Sequence, residues 1–188
     1  MFLGSGMRQP FTQKHSSAFS AKVDLRARAI EGIDNPRILD AYSAGSALWR
    51  AVEKLTGKTL RTLSLDTTAE GTFKIDNRIA LRGLDLDLFD VIDLDAYGTP
   101  WPQLDIVMRR GFRGTLVGTC IRLNRGWISK GLAVSGGMSA EMYKACPPLA
   151  SRFAKEILLN YLCLFRVDMV RLYHYRRGRY MYFSFEVK

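Results

Sequence analysis

An α/β fold, with a mostly parallel sheet closed by a C-terminal antiparallel hairpin, is what this sequence predicts. Short apolar, β-branched runs alternate with helix-period stretches from Arg37 onward. The first run ends in an acid and passes through a Ser/Gly turn directly into a helix, and the last two runs are joined by a short glycine-containing link. At 188 residues and 47% hydrophobic side chains, the chain has enough material for one substantial core, so a single domain is expected.

The elements follow in order. Residues 1–36, rich in Lys, Arg and Ser, read as a basic lead-in, mobile or helical, and residues 37–188 as the domain. Arg37 to Tyr42 predicts a buried strand, followed by Ser43-Ala44-Gly45-Ser46 and a helix through Leu48, Val52 and Leu55 that Gly57 closes. Leu60 to Leu65 predicts a second strand ending on Asp66, and Phe73 to Leu81 a helix stopped by Gly83. A third strand between Leu81 and Leu88 is short or missing. Leu88 to Asp95 is the clearest strand, with a turn at Tyr97 to Pro100 and a helix from Trp101 to Arg110 that carries proline in its first turn. Thr115 to Ile121 predicts a further strand, and a helix follows Pro147-Pro148. Val167 to Tyr175 and Tyr180 to Val187 flank Arg176-Arg177-Gly178-Arg179 as the closing hairpin at the edge of the sheet.

Composition narrows the function classes. Three cysteines without C-x-x-C spacing and two histidines exclude a zinc site or a disulfide framework, so no metal is expected and the thiols read as buried or half-buried. No apolar run approaches the roughly 18 residues of a membrane span, and the start has no apolar signal stretch; a cytoplasmic protein that does not engage membranes is the expectation. The net charge of +10 is unevenly placed: residues 1–100 hold 13 Lys/Arg and 13 Asp/Glu, residues 101–188 hold 15 and 5. That asymmetry suits a polyanionic partner.

In an open parallel sheet the ligand sits beyond the carboxyl ends of the strands, so the residues just after each strand carry the chemistry. Asp40 stands before the glycine turn, Asp66 ends the second strand, and Asp93 and Asp95 end the next clear one. A turn with Gly45 lets backbone approach a ligand closely, and an acid at Asp66 can accept both ribose hydroxyl protons. No G-x-G-x-x-G is present, which argues against a nicotinamide dinucleotide.

The stretch Phe89-Asp90-Val91-Ile92-Asp93-Leu94-Asp95-Ala96-Tyr97-Gly98-Thr99-Pro100, with the Asp40 to Ser46 turn and Asp66, resembles the tRNA guanine-N2 dimethyltransferase family, whose fourth motif reads Asp-x-Asp-Pro-Phe/Tyr-Gly-Ser-Pro. It is similar more loosely to the Asp/Asn-Pro-Pro-Tyr/Phe box of amino-methyltransferases, and the likeness covers roughly residues 37–121. The resemblance implies a Rossmann-like, class I methyltransferase fold with S-adenosylmethionine as cofactor. It implies Asp95 and Tyr97 as catalytic residues, Tyr97 stacking on an unstacked base, and Asp40, Tyr42, Gly45, Asp66 and Asp93 as cofactor-binding residues. Ala96 stands where the family has proline, the acid that contacts adenine falls on Asp85, Asp87 or neither, and the family's additional RNA-binding domain is not expected within these 188 residues.

The chemistry fits these residue types on its own terms. An exocyclic amine attacking a sulfonium methyl needs an acceptor for its N–H, which a carboxylate supplies. Arg109, Arg110 and Arg113, and the run Tyr173 to Tyr180 with Arg176, Arg177 and Arg179, are the nucleic-acid candidates, each with an ordinary alternative as a helix-end or hairpin surface charge. The expectation is an amino-methyltransferase acting on a nucleic-acid base, RNA ahead of DNA. A non-catalytic module of the same fold and a small-molecule methyltransferase are the alternatives, and a protein partner or homo-oligomer is compatible with either.

Overall fold

The structure is a computed structural model that describes residues 16–43, 46–67, 73–96, 100–121, 128–165, 169–177 and 180–188, with only the backbone described for 16–18, 120–121, 169–177 and 180. In chain order these residues form α1 (Ser16–Ala29), β1 (Arg37–Asp40), α2 (Ala47–Thr56), β2 (Arg61–Asp66), β3 (Phe73–Lys74), α3 (Asn77–Gly83) and a 3-10 turn (Leu86–Leu88). Then come β4 (Val91–Leu94), α4 (Trp101–Arg109), β5 (Gly114–Ile121), α5 (Lys130–Ser135), α6 (Ala140–Ala145), α7 (Pro147–Arg152), α8 (Ala154–Cys163), β6 (Met169–Arg177) and β7 (Tyr180–Val187).

The strands make one sheet in the order β3-β2-β1-β4-β5-β7-β6. Every pair is parallel except those of β7, which runs against both β5 and β6. The C-terminal pair forms the edge that the hairpin signal predicts, with the antiparallel strand lying inside it. The chain leaves β1 toward β2 on one side and β4 toward β5 on the other, so the β1/β4 seam is the topological switch point.

Two-residue alternation assigns the faces. Ile38, Val91, Val117 and Tyr182 pack with Val23, Ile30, Trp49 and Val52 of α1, α2 and the turn after α1. Leu39, Ile92, Leu116, Phe183 and Phe185 pack on the other face with Trp101, Leu104, Leu132, Ile157 and Leu158. Central strands covered on both sides read as continuous apolar runs, which is why β4 is buried throughout. Phe183, 1% exposed, stacks on Trp101 with centroids 6.4 Å apart and lies over Gly118, where a Cβ would come within 2.4 Å of its ring. Burying such a side chain contributes about 1.5–3 kcal/mol, and here it also anchors the start of α4.

Several elements depart from the sequence expectation. Phe73–Lys74 pairs with the end of β2 as β3 instead of opening a helix, and α3 begins only after Asp76, whose carboxylate accepts from the backbone N–H of Arg78 and Ile79. Between Leu81 and Leu88, where the sequence predicts a short strand or none, there is none: Leu86–Leu88 is a 3-10 turn capped by Asp85. Ser129 and Ser139 cap α5 and α6, two helices the periodicity does not announce. One long helix after Pro147 is instead α7 and α8, bent at Phe153, where φ −101° and ψ 27° leave the helical range. Cys146 and Cys163 are exposed, not buried. No described helix is long and apolar enough to cross a membrane.

Candidate active site

The same alternation that buries Ile38 and Val91 turns Asp40 and Asp93 toward the face covered by α1, at the switch point, where the two residues are register partners. The turn after β1 is pinned to both neighbouring strands: Ala41 N–H donates to the Asp93 carbonyl at 3.0 Å and Ser43 N–H to the Leu65 carbonyl at 3.1 Å. Hydroxyls of Ser43, Ser46 and Ser64 form a chain with spacings of 3.0 and 2.7 Å. Ser46 sits at φ +51°, a left-handed turn just before α2. Gly45 lies outside the described residues.

Both oxygens of Asp93, which is 1% exposed, are taken by Arg26 of α1, at 2.7 Å from Nε and 3.0 Å from Nη2. The same guanidinium donates to Asp95 Oδ2 at 3.0 Å and to the Lys22 carbonyl at 3.0 Å, and lies over the Trp49 ring. Lys22 donates to both oxygens of Asp95 at 2.8 Å. Arg26 and Lys22 are one helical turn apart, so a single helix delivers both cations to the acids at the strand ends. Neither cation stands out in the sequence; the only signal is their i, i+4 spacing beside the apolar Val23 and Ile30.

Electrostatics separates the three acids. Burial, reinforced by Asp93, pushes Asp40 up to about 7 against the pull of Arg26. Burial also raises Asp93, because Arg26 only partly offsets it. For Asp95 burial is outweighed by Arg26 and Lys22, which hold its carboxyl below the usual range. The buried Arg26 stays firmly charged because Asp93 and Asp95 outweigh its desolvation. The cluster thus holds one fixed cation, Arg26, with Lys22 beside it, one carboxylate secured in its ionised form, Asp95, and two carboxyls raised by burial, Asp40 and Asp93.

Tyr42, half-buried after β1, has its phenol pushed up to about 12 by burial while bonding the Asn77 side chain. Asn77 donates to the Ala41 carbonyl at 3.1 Å and accepts from Gln103 Nε2 at 2.9 Å. This relay ties the β1 turn to the first turns of α3 and α4; Asn77 and Gln103 were not foreseen from the sequence. Asp66 ends β2 opposite Lys74, with its carbonyl accepting from Ile75 N–H at 3.2 Å. The acid just past the third strand is Asp76, because β3 falls at Phe73–Lys74; Asp85 and Asp87 cap and form the 3-10 turn that leads into the opposite end of β4. Tyr97 lies outside the described residues, as does Arg179.

The candidate nucleic-acid arginines part company. Arg113 immediately precedes β5, and Arg109 and Arg110 end α4, so all three lie at the amino ends of the parallel strands, the length of a strand away from Asp40 and Asp95. Arg109 pairs with Asp105 at 2.9 Å, Arg110 donates to the Leu81 and Leu84 carbonyls, and Arg113 donates to those of Gly111 and Phe112. Arg113 also lines a cleft of about 410 Å³ at that end with Arg28, Glu31, Asp87, Asp90 and Glu186. Arg176 and Arg177 instead pair with Met181 and Tyr180, and Tyr180 pairs with Ile121, which puts this end of the hairpin on the carboxyl side with the acids. Among the described residues no group of His, Cys, Asp and Glu is arranged to hold a metal ion.

No protein-family model matches the chain, and no curated protein does. Solved structures do. Trm1 from Pyrococcus horikoshii, in complex with S-adenosyl-L-methionine, superposes with a TM-score of 0.58 at 16% identity over 92% of this chain and 55% of that one. The chain therefore spans about half the length of that structure. The N-methyltransferase NodS from Bradyrhizobium japonicum WM9 superposes with a TM-score of 0.53 at 12% identity over 93% of this chain and 98% of that one. With the strand order and the single reversed strand already described, these likenesses identify the fold as that of the class I S-adenosylmethionine-dependent methyltransferases.

Proposed function

We propose that the chain is an S-adenosylmethionine-dependent amino-methyltransferase that acts on a nucleic-acid base, RNA ahead of DNA. The observation that carries this reading is Asp95, a secured carboxylate one residue beyond β4 at the switch point, in the stretch that resembles the tRNA guanine-N2 dimethyltransferase motif.

The donor set suits the cofactor. The serine-rich β1 turn offers the hydroxyls of Ser43 and Ser46, joined to that of Ser64, and Asp66 ends the neighbouring strand where ribose hydroxyls are bound in such sheets. When bound, S-adenosylmethionine supplies an electrophilic methyl group on a sulfonium. Asp40 and Tyr42 shape the floor of its site, and Asp93 acts at one remove by fixing Arg26. Asp95 accepts an N–H of the substrate amine, which aims the nitrogen lone pair, and Tyr97 stacks on the base. The basic end of the β6/β7 hairpin, at Arg176 and Arg177, contacts the phosphate backbone. Arg109, Arg110 and Arg113 take no part in this contact, since they stand at the other end of the strands.

A non-catalytic binding module is the second reading, favoured by Ala96 and by the engagement of both Asp95 oxygens with Lys22. Incubating the protein and methyl-labelled cofactor with total RNA and genomic DNA, followed by nucleoside analysis, decides between them. Transfer is expected, and Asp95→Ala lowers its rate by about a hundredfold while leaving cofactor affinity within about twofold. No transfer to any nucleic acid would overturn the reading, with weak or absent cofactor binding then favouring the module and tight binding a small-molecule methyltransferase.

A further inference from the structure

We propose that Lys22 is a positioning residue for methyl transfer: its ammonium holds Asp95 Oδ1 in the place of the substrate amine and exchanges with it, while Arg26 is the fixed brace on Oδ2. This rests on the function proposed above, and it concerns residues that neither the motif nor the fold assigns.

The two cations are built differently. Arg26 is 1% exposed, makes four hydrogen bonds and is covered by Trp49, so it has no room to leave. Lys22 has a side chain 23% exposed and a flexible four-carbon stem, and it reaches Asp95 across the Tyr182 ring. The division of oxygens is the key. Asp95 Oδ2 receives both cations, whereas Oδ1 receives Lys22 and not Arg26, as an N–H···O bond of 2.8 Å. An amine donor arriving at Oδ1 meets the geometry an ammonium already satisfies, and displacement of Lys22 leaves Asp95 charged through Arg26. The charged groups facing Asp95 are Lys22 and Arg26 on α1, Asp93 on β4 and Asp40 on β1; β5 presents the neutral Thr119. Since two of these are acids, losing Lys22 moves the Asp95 titration upward, toward the value burial favours.

The test compares wild type, Lys22→Met and Lys22→Arg by two measurements: carboxyl ¹³C titration of Asp95, and the pH profile of labelled methyl transfer to total RNA. In Lys22→Met the Asp95 midpoint moves to higher pH. Relative to wild type its transfer rate falls as pH drops from 8 to 5, by about tenfold over that range, while the apparent KM at pH 8 drops because the competing donor is gone. Lys22→Arg keeps the wild-type profile. A purely structural lysine would lower the melting temperature and leave the profile in place. Transfer by the wild type together with an unmoved Asp95 titration in Lys22→Met overturns the positioning role alone; absence of transfer by the wild type overturns the function and the role with it.

Discussion

Replacing Arg26 by Met removes a guanidinium that is 1% exposed and strands both oxygens of Asp93, while Asp95 keeps Lys22. Breaking a buried pair from one side costs about 3–5 kcal/mol because a charge is left without compensation. The variant has one escape, which is to protonate Asp93. Relative to an unfolded aspartate titrating near pH 4, that escape costs about 4 kcal/mol at pH 7 and about 1.5 kcal/mol at pH 5. The destabilisation is therefore about 4 kcal/mol at pH 7 and smaller by about 2–3 kcal/mol at pH 5. The direction follows from proton binding: with the Asp93 titration raised in the folded state, the native variant holds a proton that the unfolded chain has released, so stability falls as pH rises above 4. Urea unfolding at both pH values measures this, with Arg26→Met/Asp93→Leu closing the cycle. The double variant is expected to regain most of the loss, since well-packed apolar residues replace such pairs at little cost. A single variant within 1 kcal/mol of wild type at pH 7, or a loss independent of pH, would refute the reasoning.

Two further outcomes concern ligands. Asp66→Ala is expected to weaken S-adenosylmethionine binding by about 1.5–3 kcal/mol in titration calorimetry, the worth of a charge-assisted bond to ribose hydroxyls; unchanged affinity in a folded variant removes Asp66 from the site. Nucleic-acid affinity is expected to fall steeply with salt, with Arg176→Ala/Arg177→Ala reducing the log–log slope by about 1–2 and Arg109→Ala/Arg110→Ala/Arg113→Ala leaving it unchanged; the reverse pattern would move the contact to the other end of the sheet.

The sheet was legible because its central strands are covered on both faces. Val91 to Leu94 has to be apolar apart from one acid, and that acid could be recognised as special only because it interrupts the run. β3 was illegible for the opposite reason. Its two residues, Phe73 and Lys74, are both exposed, so neither burial nor alternation marks them. Leu84 to Leu88 leaves the matter open, as a short strand or none: Leu-Asp-Leu-Asp-Leu alternates, yet the Asp85 carboxylate accepts from Asp87 N–H and closes a turn. The cations of α1 were hidden by distance, since Arg26 meets Asp93 across 67 positions of chain and reads locally as a surface base.

The arginine clusters show which part of the site a sequence does carry. Arg113 and Arg177 are alike in composition, each beside glycine and other arginines, and charge alone treats them as one surface. Strand direction separates them. Arg113 comes before a strand that runs parallel to β4, so it must lie at the amino end, away from Asp95; Arg177 ends β6, which follows the same direction because β7 is reversed against both of its neighbours. Of the two clusters, then, only the one that follows a parallel strand can share a ligand with the switch point, and that inference needs the order and sense of strands rather than the number of charges.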